Sequence, residues 1–200
     1  MRYIIMANGK CQRWGGHCGI PKHLISIDGE TLLQRTTRLV HEKDPGSEVI
    51  ISSANPQCVA DGAKRHEPAH GAREIDRFCY ELIDDNVCFL YGDTYYTEEA
   101  MSLICGEQGA ELQFFGTESS IVAVKVGNGA VMRSCMDALI SQIEAGLLED
   151  AKGWQLYHYY QGMPVEGRRI GSSFKLLEDR TMDFNWPSDY EDFIKAQSES

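Results

Sequence analysis

The sequence predicts a three-layer α/β domain in which helices cover both faces of a mostly parallel sheet. Short apolar runs alternate with longer helical patterns, beginning with 3–7, 31–42 and 48–53, and this alternation is typical of βαβ units. A length of 200 residues and an apolar fraction of 42% suit one domain with a substantial core. We therefore expect a single domain covering residues 1–200.

Local patterns predict the individual elements. In 31–42, Leu32, Leu33 and Leu39 recur at helical spacing and form one buried stripe, and Thr97 is a suitable N-cap for a later helix. The latter half is less regular, and its Tyr- and Gly-rich part, 153–173, is predicted to be a loop. Further strands are expected at 48–53, 87–91, 112–116 and 120–126, and further helices at 72–83, 97–105, 130–146 and from Ser188.

Charge and cysteine content exclude several classes of partner. The formal net charge is −11, which argues against nucleic acid and anionic membranes because binding to them depends on clustered Lys and Arg. The seven cysteines are scattered without a C-x-x-C pair, which favours reduced thiols in the cytosol. No apolar run approaches the roughly 20 residues of a membrane helix. We expect a cytoplasmic protein with small ligands; the oligomeric state is open, with a homodimer as one option.

The loops after the first strands are the expected ligand-binding region. In open α/β sheets, ligands bind beyond the carboxyl ends of the strands, so the loops after Ala7, Ser53 and Tyr91 should share one rim. The first loop, "ANGKCQRWGG", is glycine-rich but has neither the P-loop nor the dinucleotide-binding spacing. From its spacing alone, it is either a phosphate-binding loop or a plain turn.

Three segments, in order, carry a family resemblance. "MANGKCQRWGG" followed by "PKHL" resembles the signature L-A-x-G-x-G-x-R-x-G…P-K-x-L of the nucleotidyltransferases with a GT-A-type fold. "CFLYGDTYY" and "TMDFNWPSDYEDF" are similar to the strand-Gly-Asp and closing segments of that superfamily. It includes the sugar-phosphate and choline-phosphate nucleotidyltransferases and the molybdenum-cofactor guanylyltransferases. The resemblance implies a Rossmann-like, GT-A-type mixed sheet, although Cys11 replaces the second signature glycine.

The resemblance also implies which residues act. Arg13 and Lys22 occupy the signature cation positions and would bind the triphosphate and stabilise charge in the transition state. Asp93 and Asp183, with Asn185 as the alternative to Asp183, would bind Mg²⁺, which prefers carboxylates together with phosphate oxygens. Asp189 is assigned to capping of the last helix or to interaction with its N-terminal dipole. The other expected nucleotide contacts are Ala7, Asn8, Gly9, Lys10, Cys11, Ser53 and Arg73.

The activity implied by the resemblance is transfer of a nucleoside monophosphate from an NTP to a small phosphorylated acceptor, with release of pyrophosphate. The acceptor would be a sugar phosphate or a phosphocholine-like compound. A GT-A-type glycosyltransferase that uses a nucleotide sugar is one alternative, although such enzymes normally lack the Arg…Pro-Lys signature. Because of Cys11, a nucleotide-binding module without turnover is another.

Other motifs have weaker functional interpretations. "HEPAH" (66–70) formally matches the H-E-x-x-H zinc-peptidase motif, which requires both histidines on one continuous helix. Pro68 lies inside the motif and would destabilise such a helix by roughly 3 kcal/mol. The Tyr-rich stretch 154–164 is either an aromatic wall for the acceptor or core packing. One further group has zinc-ligand residue types without a standard spacing: Cys11, His17, Cys18 and His23.

Overall fold

The computed structural model describes residues 1–9 and 12–198. The helices are α1 (Leu32–Lys43), α2 (Glu98–Gly106), α3 (Gly129–Glu144), α4 (Gly153–Tyr160) and α5 (Pro187–Ser198). The strands are β1 (Arg2–Met6), β2 (Ser26–Ile27), β3 (Glu30–Thr31), β4 (Glu48–Ser52), β5 (Lys64–His66), β6 (Val87–Tyr91), β7 (Thr94–Tyr95), β8 (Leu112–Gly116), β9 (Ile121–Val126), β10 (Phe174–Leu176) and β11 (Met182–Asp183). None of the described helices is long and apolar enough to cross a membrane.

A seven-stranded sheet forms the centre of the fold, with the strand order β10-β8-β9-β6-β1-β4-β5. Strand β9 is antiparallel to both of its neighbours, and the other pairings in this sheet are parallel. The strands β2 and β3, and likewise β7 and β11, form separate antiparallel pairs. The predicted α/β class with a mixed, mostly parallel sheet is confirmed.

Helices pack on both faces of this sheet, which explains why its central strands are apolar throughout. In β1, Ile4 and Met6 belong to one buried cluster, whereas Tyr3 and Ile5 belong to the other. The first cluster includes the buried sides of α3 and α4, and the second includes those of α1 and α2. The three predicted layers follow from this arrangement.

Three helices begin at a capping side chain supplied by the sequence. Thr31 Oγ1 accepts a hydrogen bond from the Gln34 amide at 3.1 Å, and Thr97 Oγ1 accepts one from the Ala100 amide at 3.0 Å. The Asn128 side chain accepts hydrogen bonds from the first turn of α3. These contacts satisfy amides that would otherwise lack a partner at the helix ends, and they confirm Thr97 as the N-cap of α2.

The prediction of an α-helix at 72–83 was wrong. This segment forms two 3₁₀ turns, Glu74–Phe78 and Tyr80–Leu82, because Cys79 between them adopts a left-handed φ of 39°. The buried side chains of Ile75 and Phe78 lie three residues apart, a spacing that a 3₁₀ turn aligns at least as well as an α-helix does. The apolar pattern therefore could not distinguish the two.

The prediction of a loop at 153–173 was also wrong in part, because the first residues of this stretch form α4. Gly and Tyr are weak helix formers, but Leu156 and Tyr157 are fully buried in the first core cluster, and this packing outweighs their propensity. The Trp154 ring stacks on the Phe174 ring with a centroid distance of 5.4 Å. The aromatic stretch 154–164 thus contributes to core packing, the second of its two interpretations.

Candidate active site

The carboxyl ends of β1, β4 and β6 meet at one edge of the sheet, as predicted. Met6 is in register with Ser52 on one side and with Tyr91 on the other. The chain after β6 passes so close to β1 that Gly92 N donates to Met6 O at 3.0 Å, and a Cβ at Gly92 would lie 2.8 Å from that oxygen. Only glycine fits there, and it places Asp93 at the rim.

A short 3₁₀ turn, Lys22–Leu24, brings a cation to Asp93. Lys22 Nζ donates to Asp93 Oδ2 in an ion pair whose two residues are each 8% exposed. Burial alone would raise the pKa of the Asp93 carboxyl, but the neighbouring positive charges, led by Lys22, hold this pKa below its usual value. The rim therefore carries an ionised carboxylate with a matched ammonium group.

Strand β11 supplies a second carboxylate. Asp183 is in register with Thr94, and the amide of the next residue, Phe184, donates to Asp93 O at 2.8 Å. Burial, together with the negative charge of Asp93, raises the pKa of Asp183. Within the part of the chain that the structure describes, Asp183 has no ion-pair partner within 4 Å, so this pair of carboxylates carries excess negative charge.

These oxygens fit a divalent cation such as Mg²⁺, because carboxylates are its preferred protein ligands and a cation would offset the repulsion that raises the Asp183 pKa. Asn185, the alternative ligand, is already engaged. Its Oδ1 accepts from Arg13 Nη2 at 2.5 Å, and its Nδ2 donates to Asp183 Oδ2. Asp93 and Asp183 are therefore the better-suited pair, and Asn185 links Arg13 to Asp183.

The loop before α5 holds Arg13 in place. Arg13 is exposed, and its Cζ lies 5.7 Å from the centroid of the Trp186 ring. Asp189 Oδ2 accepts hydrogen bonds from the amides of Asn185 at 2.8 Å and Trp186 at 2.7 Å. The capping role assigned to Asp189 is confirmed, and it fixes both residues that contact the Arg13 guanidinium.

Two adjacent cavities open at this rim. The first has a volume of about 320 Å³, and its charged lining consists of Arg13, Lys22, Glu74, Arg77, Asp93 and Lys152. The second, of about 460 Å³, shares Gly9, Trp14 and His23 with the first and extends to Asn55. Volumes of this size are typical of small-molecule sites. Four cations in one cleft of a chain with net charge −11 indicate a local preference for an anionic ligand.

The residues after β1 lie where the two cavities meet. Asn8 lines the first cavity, Ala7 lines the second and Gly9 lines both. Asn8 Oδ1 is buried and has no hydrogen-bond partner among the described residues, so it is available to a donor on a ligand. Lys10 and Cys11, both expected to contact the nucleotide, lie outside the described residues.

Ser53 and Arg73 are close to the cleft but have structural partners. Ser53 is buried, and its Oγ donates to Ala7 O at 2.8 Å, which ties the loops after β1 and β4 together. The Arg73 guanidinium pairs with Asp76 at 3.1 Å and with Glu144 at 3.3 Å, and Arg73 lines a small groove beside the first cavity. A direct nucleotide contact by either residue stays a prediction.

Sequence reasoning missed Arg77 and Lys152. Arg77 pairs with Glu74, and its Cζ lies 5.6 Å from the centroid of the Tyr91 ring. The predicted helix at 72–83 gave no reason to prefer Arg77 over Arg73 as the cation that faces the cleft. Lys152 precedes α4, in a stretch without a recognisable motif, and its position became clear only from the packing of α4.

His23 lies beneath the cleft and is 3% exposed. Burial, followed by the charges of Lys22 and Arg77, lowers the pKa of His23 to about 4, although Asp93 acts in the opposite direction. The imidazole is therefore neutral near pH 7. It cannot serve as a cationic phosphate ligand there.

Stability is expected to fall more steeply with acidification in the wild type than in His23→Gln. The unfolded chain protonates this histidine near pH 6.5, whereas the folded chain does so only near pH 4, so the folded state loses stability as the pH falls through this window. Tm values at pH about 7 and about 5 will measure the difference. Half-buried His41, whose Nε2 is 3.0 Å from Gly62 O, supplies the control His41→Gln. The same Tm change in wild type and His23→Gln would contradict the assignment.

Solved structures with this fold include several nucleotidyltransferases. CTP:phosphocholine cytidylyltransferase from Streptococcus pneumoniae has a TM-score of 0.63 and 13% identity over 98% of each chain. The 4-diphosphocytidyl-2C-methyl-D-erythritol synthase from Anaerococcus prevotii has a TM-score of 0.63 and 13% identity over 100% of this chain and 96% of its own. The inositol-1-phosphate CTP transferase from T. maritima has a TM-score of 0.56 and 14% identity, over 94% of this chain and 90% of its own.

Sequence comparison adds no assignment to this structural likeness. No protein-family model matches the chain, and no curated protein matches it significantly. The structural matches nevertheless extend over nearly the whole chain, including the rim that carries the two cavities. This chain therefore has the Rossmann-like α/β fold that these nucleotidyltransferases share.

Proposed function

We propose that this chain is a Mg²⁺-dependent nucleotidyltransferase that transfers a nucleoside monophosphate from an NTP to a small phosphorylated acceptor and releases pyrophosphate. The observation that carries the proposal is the convergence of Arg13, Lys22 and Asp93, from three separate segments, at one cleft, with Asp183 beside it on the strand that pairs with β7. The names of two structures with this fold, which specify phosphocholine and inositol 1-phosphate together with CTP, support the class of acceptor.

The proposed reaction needs no protein nucleophile. An oxygen of the acceptor phosphate attacks the α-phosphorus of the NTP, and the bond from that phosphorus to the pyrophosphate oxygen breaks. A phosphate monoester has a second pKa of about 6 and is already largely ionised at neutral pH, so no general base is required. Catalysis then consists of positioning the two anions and neutralising charge on the leaving pyrophosphate.

The cations of the cleft would perform that neutralisation. The Arg13 guanidinium is exposed but held by Asn185 and Trp186, so it can contact a phosphate with little further ordering. Lys22 is already within the cleft and would share its ammonium group between Asp93 and the triphosphate. Mg²⁺, when bound to Asp93 and Asp183, would supply further charge neutralisation on the phosphates.

The remaining lining suggests where the two substrates bind. The larger cavity beside Gly9 and Asn55 would hold the nucleoside, and Asn8 Oδ1, which has no hydrogen-bond partner among the described residues, lies at its border. Arg77 and Lys152 line the first cavity together with Lys22 and are placed to bind the phosphate of the acceptor, a sugar phosphate or a phosphocholine-like compound. Free thiols among the described cysteines support the cytoplasm as the compartment.

Pyrophosphate release will test the proposal against its two alternatives. The purified protein is incubated with each NTP, Mg²⁺ and a panel of sugar phosphates and phosphocholine, in parallel with nucleotide sugars and sugar acceptors. Release with at least one pair of NTP and acceptor is expected. Glycosyl transfer from a nucleotide sugar would favour the glycosyltransferase, and NTP binding without any release would favour the non-catalytic module.

Arg13→Ala is expected to lower kcat/KM about tenfold or more without changing Tm, because Arg13 is exposed and contributes to binding of the triphosphate rather than to the core. Steady-state kinetics with the best pair of substrates will measure the loss. Arg168→Ala removes another exposed arginine, which lies outside both cavities, and is the matched control. An unchanged kcat/KM for Arg13→Ala would exclude the proposed role of Arg13.

A further inference from the structure

Three side chains that can each ligate a metal converge where β5 ends, outside the catalytic cleft. They are His66, the last residue of β5, Cys79 and Glu81. One ligand atom of each lies within 4.8 Å of the other two, and His66 Nε2 is 2.9 Å from Glu81 Oε1. Among the side chains that the structure describes, no second group of three His, Cys, Asp or Glu residues is as close.

The contacts of these residues orient their donor atoms toward one another. The Ala69 amide donates to Glu81 Oε1 at 2.9 Å, which fixes the carboxylate beside the His66 ring. Cys79 is 1% exposed, and its Sγ lies 2.7 Å from Ser52 Oγ. The left-handed φ of 39° at Cys79 is unusual for a residue other than glycine, and such strained positions cluster at functional sites.

Cys79 lies between two acidic residues of the same segment, Asp76 and Glu81. Their negative charge would favour a bound cation. The His66 and Glu81 side chains are 28% and 30% exposed, so a metal ion from solvent can reach the site.

We propose that His66, Cys79 and Glu81 form a second metal site, which binds Zn²⁺. Imidazole nitrogen, thiolate sulfur and carboxylate oxygen are the donors that zinc uses in proteins, and its bond lengths of about 2.0–2.3 Å place neighbouring ligand atoms about 3.4 Å apart. The observed separations of up to 4.8 Å require only a small closure. A thiolate ligand selects zinc over Mg²⁺, so this site differs in kind from the Asp93–Asp183 pair.

A metal at this position would fasten the two 3₁₀ turns to β5. Cys79 and Glu81 belong to the segment that carries Glu74 and Arg77 into the cleft, so a bound ion would restrict the movement of that wall. Three protein ligands leave a fourth position toward solvent. The proposed role is to restrict the movement of this wall, and it does not depend on the proposed nucleotidyl transfer.

Cobalt binding to the full chain tests the site without an activity measurement. Co²⁺ occupies zinc sites and gives a sulfur-to-cobalt charge-transfer band in the near ultraviolet when a thiolate is a ligand. We expect saturation at one ion per chain, displacement by Zn²⁺, and loss of the band in Cys79→Ser. Cys58→Ser, which removes another buried thiol, should keep the band. Absence of the band, or its persistence in Cys79→Ser, would overturn the proposal.

Two further variants decide the outcome if Cys79→Ser does not fold. The half-exposed positions allow His66→Gln and Glu81→Gln, each of which should weaken cobalt affinity about tenfold or more. Zn²⁺ should also raise the Tm of the wild type but not of either variant, because a ligand stabilises only the state that binds it. Unchanged cobalt affinity in both variants, with normal circular dichroism, would overturn the proposal independently.

Discussion

Lys22→Met is expected to lower kcat about 100-fold or more, comparable with the loss of one oxyanion-hole donor. The variant removes the buried ammonium group that we propose to neutralise the leaving pyrophosphate. It also leaves the Asp93 carboxylate buried without its cation, which typically costs about 3–5 kcal/mol of stability. Both effects are measurable, by steady-state kinetics and by denaturant unfolding.

The double variant Lys22→Met/Asp93→Asn separates these two effects. Replacing both partners of a buried ion pair is often nearly neutral for stability, so the double variant should recover most of the free energy of unfolding. It should not recover kcat, because both functional groups are gone. Normal kcat in Lys22→Met would exclude the catalytic role of Lys22, and recovery of kcat in the double variant would exclude the proposed roles of both Lys22 and Asp93.

Asp183→Asn is expected to raise Tm at neutral pH without Mg²⁺ and to lower activity about tenfold or more. The folded-state pKa of Asp183 is raised by burial and by Asp93, so its ionised form costs stability at any pH above its ordinary pKa of 3.8. Asn carries no charge, so the variant does not lose this stability. The Tm difference between variant and wild type should therefore narrow as the pH falls toward 3.8.

The dependence of Tm on Mg²⁺ completes this test. Mg²⁺ should raise the Tm of the wild type, because it binds the folded state, and should have little effect on Asp183→Asn. Asp192→Asn, which changes an exposed acid of α5, is the matched control and should respond as the wild type does. An equal response of Asp183→Asn and the wild type would place the metal site elsewhere.

The sequence allowed prediction of the central geometry because it combines regular patterns with ordered motifs. The apolar runs of β1, β4 and β6 predicted a common rim, and the family signature indicated Lys22 and Asp93, which form an ion pair there. The closing segment indicated Asp183 correctly as a neighbour of Asp93. These features depend on topology and on short motifs, both of which are legible in a single sequence.

Other features of the site depend on packing, which local patterns do not specify. Cys79 interrupts a helical pattern through its left-handed backbone, and in the observed conformation Arg77 lines the cleft whereas Arg73 pairs with Asp76 and Glu144. The hydrogen bond between Asn185 and Arg13 is likewise a tertiary contact, and our proposal of Asp183 over Asn185 as metal ligand rests on it. His66 was considered only within a zinc-peptidase motif, and its proximity to Cys79 is a tertiary contact between distant segments.

Transfer of the α-phosphate is the measurement that tests the central claim most directly. The protein is incubated with Mg²⁺, an acceptor phosphate and an NTP labelled at its α-phosphorus, and the label and the pyrophosphate are quantified together. We expect the label to move to the acceptor in equal amount with the pyrophosphate released, and both products to disappear in Asp93→Asn. Label that stays in the NTP with every acceptor, or release of inorganic phosphate alone, would contradict the proposed function.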